Sequence, residues 1–421
     1  MERFHGLLGI AMLLGIAWAL SEHRNKVSLR LIVVGVALQF AIALALLRVP
    51  GVRSTMDWIA NQFTTVLGFG NEGATFVFGG LADPGGPWGG LFFVLVLSVI
   101  IFFASLMAIL YHLGITQRVI AAMAFVLRKT LGMSGIEALA ASANVFVGQT
   151  EAPLVIKPYV PLLTRSQLML VMTSGFATIA GSVFGLVVAT IAGADEALRA
   201  EVAKHLLTAS LISAPGAYVM AKTFIPETQD PPDELDVHLH TEHRAGNVLD
   251  AAARGATDGM KLALNVAAML IAFVSLIALV NWPIRGIGGL AGVELSLERI
   301  LGWVFSPVAW GMGIEPADVG GVGQTLGTSV VATELVAYTK LAALTAPDET
   351  GATLITERSR TIATYALCGF ANLPSVGIQV GGLSVMAPER RSEIAALGLR
   401  AMLAGAMTCW MTACVASVIL E

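Results

Sequence analysis

The 421-residue chain is 56% hydrophobic and only 13% charged, with a mean hydropathy of +0.77, far more apolar than a soluble domain, so it reads as an integral membrane protein. A net charge of −4 and the lack of any basic run of five residues argue against nucleic acid and against a polybasic lipid switch. Its apolar segments are continuous rather than alternating, which argues against a β-barrel, and Cys368, Cys409 and Cys414 have neither disulfide-framework nor metal spacing.

Stretches long enough to span a bilayer, about 17 to 25 residues, begin at 4–21. Ala17-Trp18-Ala19 resembles a leader cleavage site, but only Arg3 precedes the apolar run and Glu22, His23, Arg24 and Lys26 follow at once, so a first transmembrane helix is expected. After a second span at 29–48, residues 54–69 mix Asp57, Asn61 and Gln62 with Trp58, Ile59, Phe63, Val66 and Leu67, the pattern of an interfacial amphipathic helix. Further spans at 90–111, 167–193, 204–225, 260–282, 361–387 and 394–420 bring the count to eight. Two more stretches, 132–163 and 298–345, are apolar but broken by Gly, Pro and a glutamate, which is the signature of re-entrant hairpins.

In the first hairpin, Gly132-Met133-Ser134-Gly135 has the form of a serine-nucleophile motif, which raises the remote alternative of an intramembrane serine protease. No general base is at hand, since His112 and His205 lie near span ends and the other histidines in loops or at the terminus. Ser134 is expected instead to cap a helix, with Glu137 completing a capping box. The polar, Pro-rich stretch 226–247 reads as a solvated linker, and its His238, His240 and His243 as loop residues rather than metal ligands. Arg24, Lys26 and Arg30 place the first loop in the cytoplasm together with Arg118, Arg128, Lys129, Arg390 and Arg391, against Arg48 and Arg53. The hairpins then enter from opposite sides, as an inverted repeat requires.

Each hairpin carries one glutamate, Glu151 or Glu334, followed six residues later by Lys157 or Lys340. A further echo follows each: Gly175-Phe176-Ala177-Thr178-Ile179-Ala180-Gly181 and Gly369-Phe370-Ala371-Asn372-Leu373-Pro374-Ser375. A carboxylate at membrane depth costs about 2.5 to 3.5 kcal/mol on insertion scales and needs a reason. Simple Glu–Lys ion pairs are one reading, but they leave the surrounding amides and hydroxyls unexplained. Asn144, Gln149, Thr150 and Glu151 would line the first tip, with Thr178 and Ser182 at the following helix break; neutral oxygens and free carbonyls of this kind suit sodium. Glu334, Asn372 and Ser375 match the vicinal hydroxyls of a sugar beside the aromatic face of Phe370, and Gln149 with Glu151 can read the edge of a nucleobase.

The runs Ala143-Asn144-Val145-Phe146-Val147-Gly148-Gln149-Thr150-Glu151-Ala152-Pro153-Leu154-Val155, Thr333-Glu334-Leu335-Val336-Ala337-Tyr338 and Ala366-Leu367-Cys368-Gly369-Phe370-Ala371-Asn372-Leu373 resemble those of bacterial concentrative nucleoside transporters, a likeness that extends over essentially the whole chain. The resemblance implies an all-α polytopic protein of the inner membrane. Its eight transmembrane helices and two oppositely oriented hairpins would form an inverted repeat that works as an elevator, with lipid around a homotrimer. It further implies scaffold helices and an interfacial helix at 1–131, a first transport repeat at 132–225, a linker and scaffold helix at 226–297, and a second repeat at 298–421. Gln149, Thr150 and Glu151 would hold the base, Glu334, Asn372 and Ser375 the ribose, and Val183 and Phe370 would be apolar walls. Sodium, the coupling ion, would lie at Asn144, Val147, Thr178 and Ile179, with the main-chain carbonyls of Val147 and Ile179 contributing. Pro374 stands where some relatives carry a small polar residue. A proton-coupled symporter is the nearest alternative, because a buried carboxyl group can carry a proton, and a passive channel is a third reading.

Overall fold

A computed structural model of the chain describes residues 5–82, 92–149, 151–193, 195–229, 245–290, 292–346 and 352–420. These residues form helices joined by short turns, with no strand among them. The chain opens with α1 (His5–Ala19), α2 (Leu29–Arg48) and α3 (Pro50–Phe78). Ser28 caps α2 through Leu31 N, and Pro50 starts α3 where its missing N–H costs nothing. Then come α4 (Phe92–His112) and α5 (Ile115–Leu131), which meet at a 74° bend. Gly114 makes that bend at φ +75 and Gly132 ends α5 at φ +67, backbone conformations that a Cβ disfavours. Helix α5 lies outside the eight stretches expected to span. Its signal is a spacing that buries Thr116, Ile120 and Leu127 and leaves Arg128 and Lys129 in the last turn.

The first hairpin is α6 (Gly135–Asn144), a tip, and a 3₁₀ segment at Ala152–Leu162. Ser134 caps α6 by the expected capping box, its Oγ accepting from Glu137 N at 3.3 Å while Glu137 Oε2 accepts from Ser134 N at 3.0 Å. Pro158 and Pro161 inside the 3₁₀ segment remove the amides an α-helix would need. The candidate span at 167–193 is two helices, α7 (Arg165–Phe176) and α8 (Gly181–Ala192), with the chain broken between them. Next are α9 (Glu196–Phe224) and the 43-residue α10 (Val248–Leu290), about 65 Å at 1.5 Å per residue and so much longer than the expected span at 260–282.

The second hairpin is narrower than the 298–345 expected. Residues Leu297–Gly311 form a separate helix, α11, closed by Gly313 at φ +81; the hairpin proper is α12 (Val319–Val331) and α13 (Glu334–Thr345). The candidate span at 361–387 again divides, into α14 (Glu357–Ala366) and α15 (Leu373–Met386), and α16 (Arg391–Ile419) ends the fold. By length and composition α2, α10 and residues 388–419 are each able to cross a membrane alone, and α4 with α5 forms a bent further candidate. The other expected spans are built of shorter helices or of helices carrying more charge.

Glycines set which helices lie together. On α10, Gly255 and Gly259 bring its backbone against Ala104, Ser105 and Ile101 of α4, where added Cβ atoms would fall 2.7 to 2.8 Å from their neighbours. The first two helices, α1 and α2, pack chiefly on other elements than α4 and α10. Gly9 of α1 presses on Gly311 and Cys414, and Gln39 of α2 reaches across Gly216 to donate to the Ile212 carbonyl at 3.1 Å. These two helices therefore belong with α9 and α16. At one end, Glu22 after α1 accepts from Arg165 Nη2 at 2.9 Å and Nε at 3.2 Å and also pairs with Arg400, tying α1, α7 and α16. The Arg165 hydrogen bonds hold the Glu22 carboxyl below the usual carboxylate range.

Candidate functional site

The polar residues singled out in the sequence gather where the hairpin tips meet the two helix breaks. Asn144 is the last residue of α6 and is 1% exposed. Its Nδ2 donates to Ala140 O at 3.1 Å and to Ser174 Oγ at 2.9 Å, which orients the amide and leaves Oδ1 buried with no hydrogen-bond partner among the described residues. Thr178, in the break between α7 and α8, sends its hydroxyl toward Asn144 O at 2.7 Å and Ser174 O at 3.0 Å. Gly181 N donates to Phe146 O at 3.2 Å, so the start of α8 is fastened to the first tip. Ile179 is buried and Val147 half-buried in the same turns, and no described backbone amide donates to either carbonyl. An oriented amide oxygen, a hydroxyl and two such carbonyls form a donor set for a monovalent cation.

At the tip itself, Gln149 is 8% exposed and its Oε1 is buried without a partner among the described residues. Glu151 is exposed and its Oε2 accepts from Gly148 N at 3.4 Å. Thr150 lies outside the described residues. Val183, in the first turn of α8, is buried, and Phe370 is half-buried.

On the other side, two helix N-termini converge. Thr333 caps α13, accepting from Val336 N at 3.3 Å, and places Glu334 at the first helical position with 7% exposure. Asn372 caps α15, its Oδ1 accepting from Ser375 N at 2.9 Å, while its Nδ2 donates to Glu334 Oε2 at 2.6 Å. One asparagine therefore both starts a helix and holds the carboxylate. Both N-termini direct their positive ends at the place where Glu334 sits. The alternative pairing with Lys340 is not made; Lys340 Nζ instead lies 3.4 Å from Glu298 Oε1 of α11 and 3.1 Å from Thr328 Oγ1.

The two breaks cross each other. Gly369 allows it, since an added Cβ would fall 2.5 Å from Phe176 O, and Gly405 lets α16 press on Phe176 from beside the crossing. Two residues at this crossing were missed in the sequence: Ser174, one helical turn before Thr178, and Gln379, one turn after Ser375. Their helical spacing from residues already singled out was the available signal.

The chain matches family models along its length: Na+ dependent nucleoside transporter N-terminus at residues 8–81, nucleoside-recognition gate at 93–194, and Na+ dependent nucleoside transporter C-terminus at 205–417. It is 43% identical over 418 residues to an uncharacterized transporter of Haemophilus influenzae, covering 99% of this chain and 97% of that one. Mouse sodium/nucleoside cotransporter 1 is 36% identical over 429 residues, covering 99% of this chain and 64% of its own. The structure of CNTnw in an inward-facing substrate-bound state superposes with a TM-score of 0.90 at 39% identity, over 99% of this chain and 98% of that one.

Proposed function

The chain belongs to the Na+-dependent nucleoside transporter family, and from that premise we propose that it imports nucleosides, uridine among them, in symport with sodium by an elevator-type movement. It is a multi-pass membrane transporter and not an enzyme; Ser134 is a helix cap. The observation that carries the reading is the buried Asn372–Glu334 contact at the junction of two helix N-termini, a place where a carboxylate is held ready for hydroxyl groups.

In this reading Glu334, Asn372 and Ser375 take the ribose, Gln149, Thr150 and Glu151 the base, and Val183 and Phe370 form walls. Sodium is a co-substrate held by Asn144 Oδ1, the Thr178 hydroxyl and the carbonyls of Val147 and Ile179. The unpartnered Oδ1 supports that assignment, because it is oriented by its own Nδ2 bonds before any ion arrives. Sodium at the first tip stiffens it and raises nucleoside affinity, and nucleoside must raise sodium affinity by the same factor. Closure of both tips then lets a moving part, residues 132–225 and 298–421 with α1 and α2, pass the static pair α4 and α10. The segment 226–247 serves as the connection between them; its residues 230–244 lie outside the described ones. We place the protein in the bacterial inner membrane as a homotrimer with α4 and α10 toward the contact, an arrangement that the exposed Ile271, Trp282 and Leu290 of α10 support.

The test is accumulation of radiolabelled uridine in proteoliposomes under a sodium gradient and, separately, under a proton gradient at equal sodium. A tenfold sodium gradient with 100 mV inside negative supplies about 3.7 kcal/mol per ion, or roughly 500-fold accumulation at one ion per nucleoside. Glu334→Gln keeps the acceptor for Asn372 but removes the charge, and should raise the KM for uridine by about thirtyfold or more, on the scale of a lost charge-assisted hydrogen bond. Uptake driven by protons alone would transfer coupling to a carboxyl group. Uptake that only equilibrates would make the protein a channel.

A further inference from the structure

Asn372, Ser375 and Gln379 follow one face of α15 at spacings of three and four residues, and each is at most 4% exposed. The first two belong to the site already described. Gln379 lies one turn deeper and donates from Nε2 to the Met172 carbonyl of α7 at 3.0 Å. A carbonyl only accepts, so that bond fixes the orientation of the amide and turns Oε1 away from Met172. This oxygen is buried and has no hydrogen-bond partner among the described residues.

Its surroundings are those of the base side. A Cβ on Gly175 would fall 2.5 Å from Gln379 Nε2 and 3.0 Å from Gln149 Cβ, so the bare glycine is where α15 and the first tip come together. Gln149 Oε1 is likewise buried and unpartnered. Two buried acceptors on neighbouring side chains, one of them held in orientation, have use only for a donor, and a buried acceptor without one is costly. The 3₁₀ arm of the same hairpin also packs on α15, which keeps the two glutamines in register.

We propose that Gln379 is a specificity-determining residue of the nucleoside site, its amide oxygen accepting from an exocyclic amino group on the base. This rests on the nucleoside-transport reading. Cytidine and uridine separate the cases, because they differ by an amino group in one and a carbonyl oxygen in the other at the same ring position. Cytidine supplies the missing donor; uridine sets acceptor against acceptor.

The experiment is initial-rate uptake of each nucleoside into proteoliposomes at saturating sodium, for the wild-type protein, Gln379→Met, which keeps length and packing but not the acceptor, and Gln379→Glu, which in its protonated form keeps both a donor for Met172 O and an acceptor. The expected result is a wild-type KM about fivefold lower for cytidine, the factor that one hydrogen bond provides. In Gln379→Met that ratio falls toward one through the cytidine KM, with maximal rates retained, and in Gln379→Glu it survives. Should Gln379→Met fail to insert, Gln379→Asn, which withdraws the amide by one methylene, must show the same loss of ratio. Equal changes for both nucleosides, or none, would make Gln379 a packing residue and overturn the inference alone. A wild-type protein that transports neither nucleoside would overturn the transport reading with it.

Discussion

The Asn144 amide is bonded at one end only. Its nitrogen is held by Ala140 O and Ser174 Oγ, while its oxygen, equally buried, faces no donor among the described residues. Left so, the oxygen destabilises the fold by about 1 to 3 kcal/mol, a cost that a bound cation removes. Asn144→Ala should therefore raise the sodium concentration for half-maximal uptake by about tenfold or more. At saturating sodium the KM for nucleoside should return toward the wild-type value, because the two affinities are linked only through the ion. A sodium titration of initial uptake reads this directly, and an unchanged half-saturation point would remove Asn144 from the ion site. Glu334 presents the opposite case, a charge whose Oε2 is already held by Asn372. Its legibility in the sequence came from cost, since a carboxylate among apolar residues calls for a partner. Gln379 escaped because a glutamine within Val376-Gly377-Ile378-Gln379-Val380 carries no comparable penalty.

Where the two broken helices cross, backbone meets backbone. A Cβ on Gly369 would lie 2.5 Å from Phe176 O and 2.6 Å from Cys409 Sγ, and the carbonyl cannot yield without moving α7. Gly369→Ala should destabilise the detergent-solubilised protein by about 1 to 3 kcal/mol, the usual cost of overpacking. Gly377→Ala, in open space on α15, is the matched control and should be neutral or slightly stabilising, as a glycine within a helix is when replaced by alanine. Comparison of thermal midpoints checks the pair, and equal midpoints would mean that the crossing is loose. The breaks themselves were legible as paired echoes, because Gly and Pro interrupt otherwise spanning runs. The separation of α11 from the second hairpin was not: residues 298–345 carry several Gly and Pro interruptions of which none singles out the boundary, and only the close approach of Gly302 to Gly323 and of Leu301 to Gly327 shows two helices packed side by side. Helix extent was equally hidden for α10, whose first turns are polar yet remain helical because Gly255 and Gly259 seat them on α4.

At the scale of the whole molecule, the packing divides the chain differently from its order along the sequence. The pair α4 and α10 is joined by glycine contacts, whereas α1 and α2, although they come first, are fastened to α9, α11 and α16. A moving part must hold its own core together and slide on a smoother surface. Gly185 of α8 marks that surface, where an added Cβ would fall 2.9 Å from Phe103 of α4 and 3.0 Å from Leu67 of α3. Elevator transport then predicts that distances within the static pair stay fixed while distances across Gly185 change. Spin labels on cysteines at Ile271 of α10 and Val385 of α15, 71% and 80% exposed, report the second kind. Labels at Ile271 and Leu113, just after α4, report the first. Cys368, Cys409 and Cys414 are buried and stay unlabelled, and dilution of labelled protomers with unlabelled ones isolates distances within one chain. Addition of sodium and nucleoside should shift the Ile271–Val385 distance distribution by at least about 5 Å, one helical turn, and leave Ile271–Leu113 in place. A shift in both pairs would relocate the static part. A shift in neither would favour gating by the hairpin tips around an immobile site.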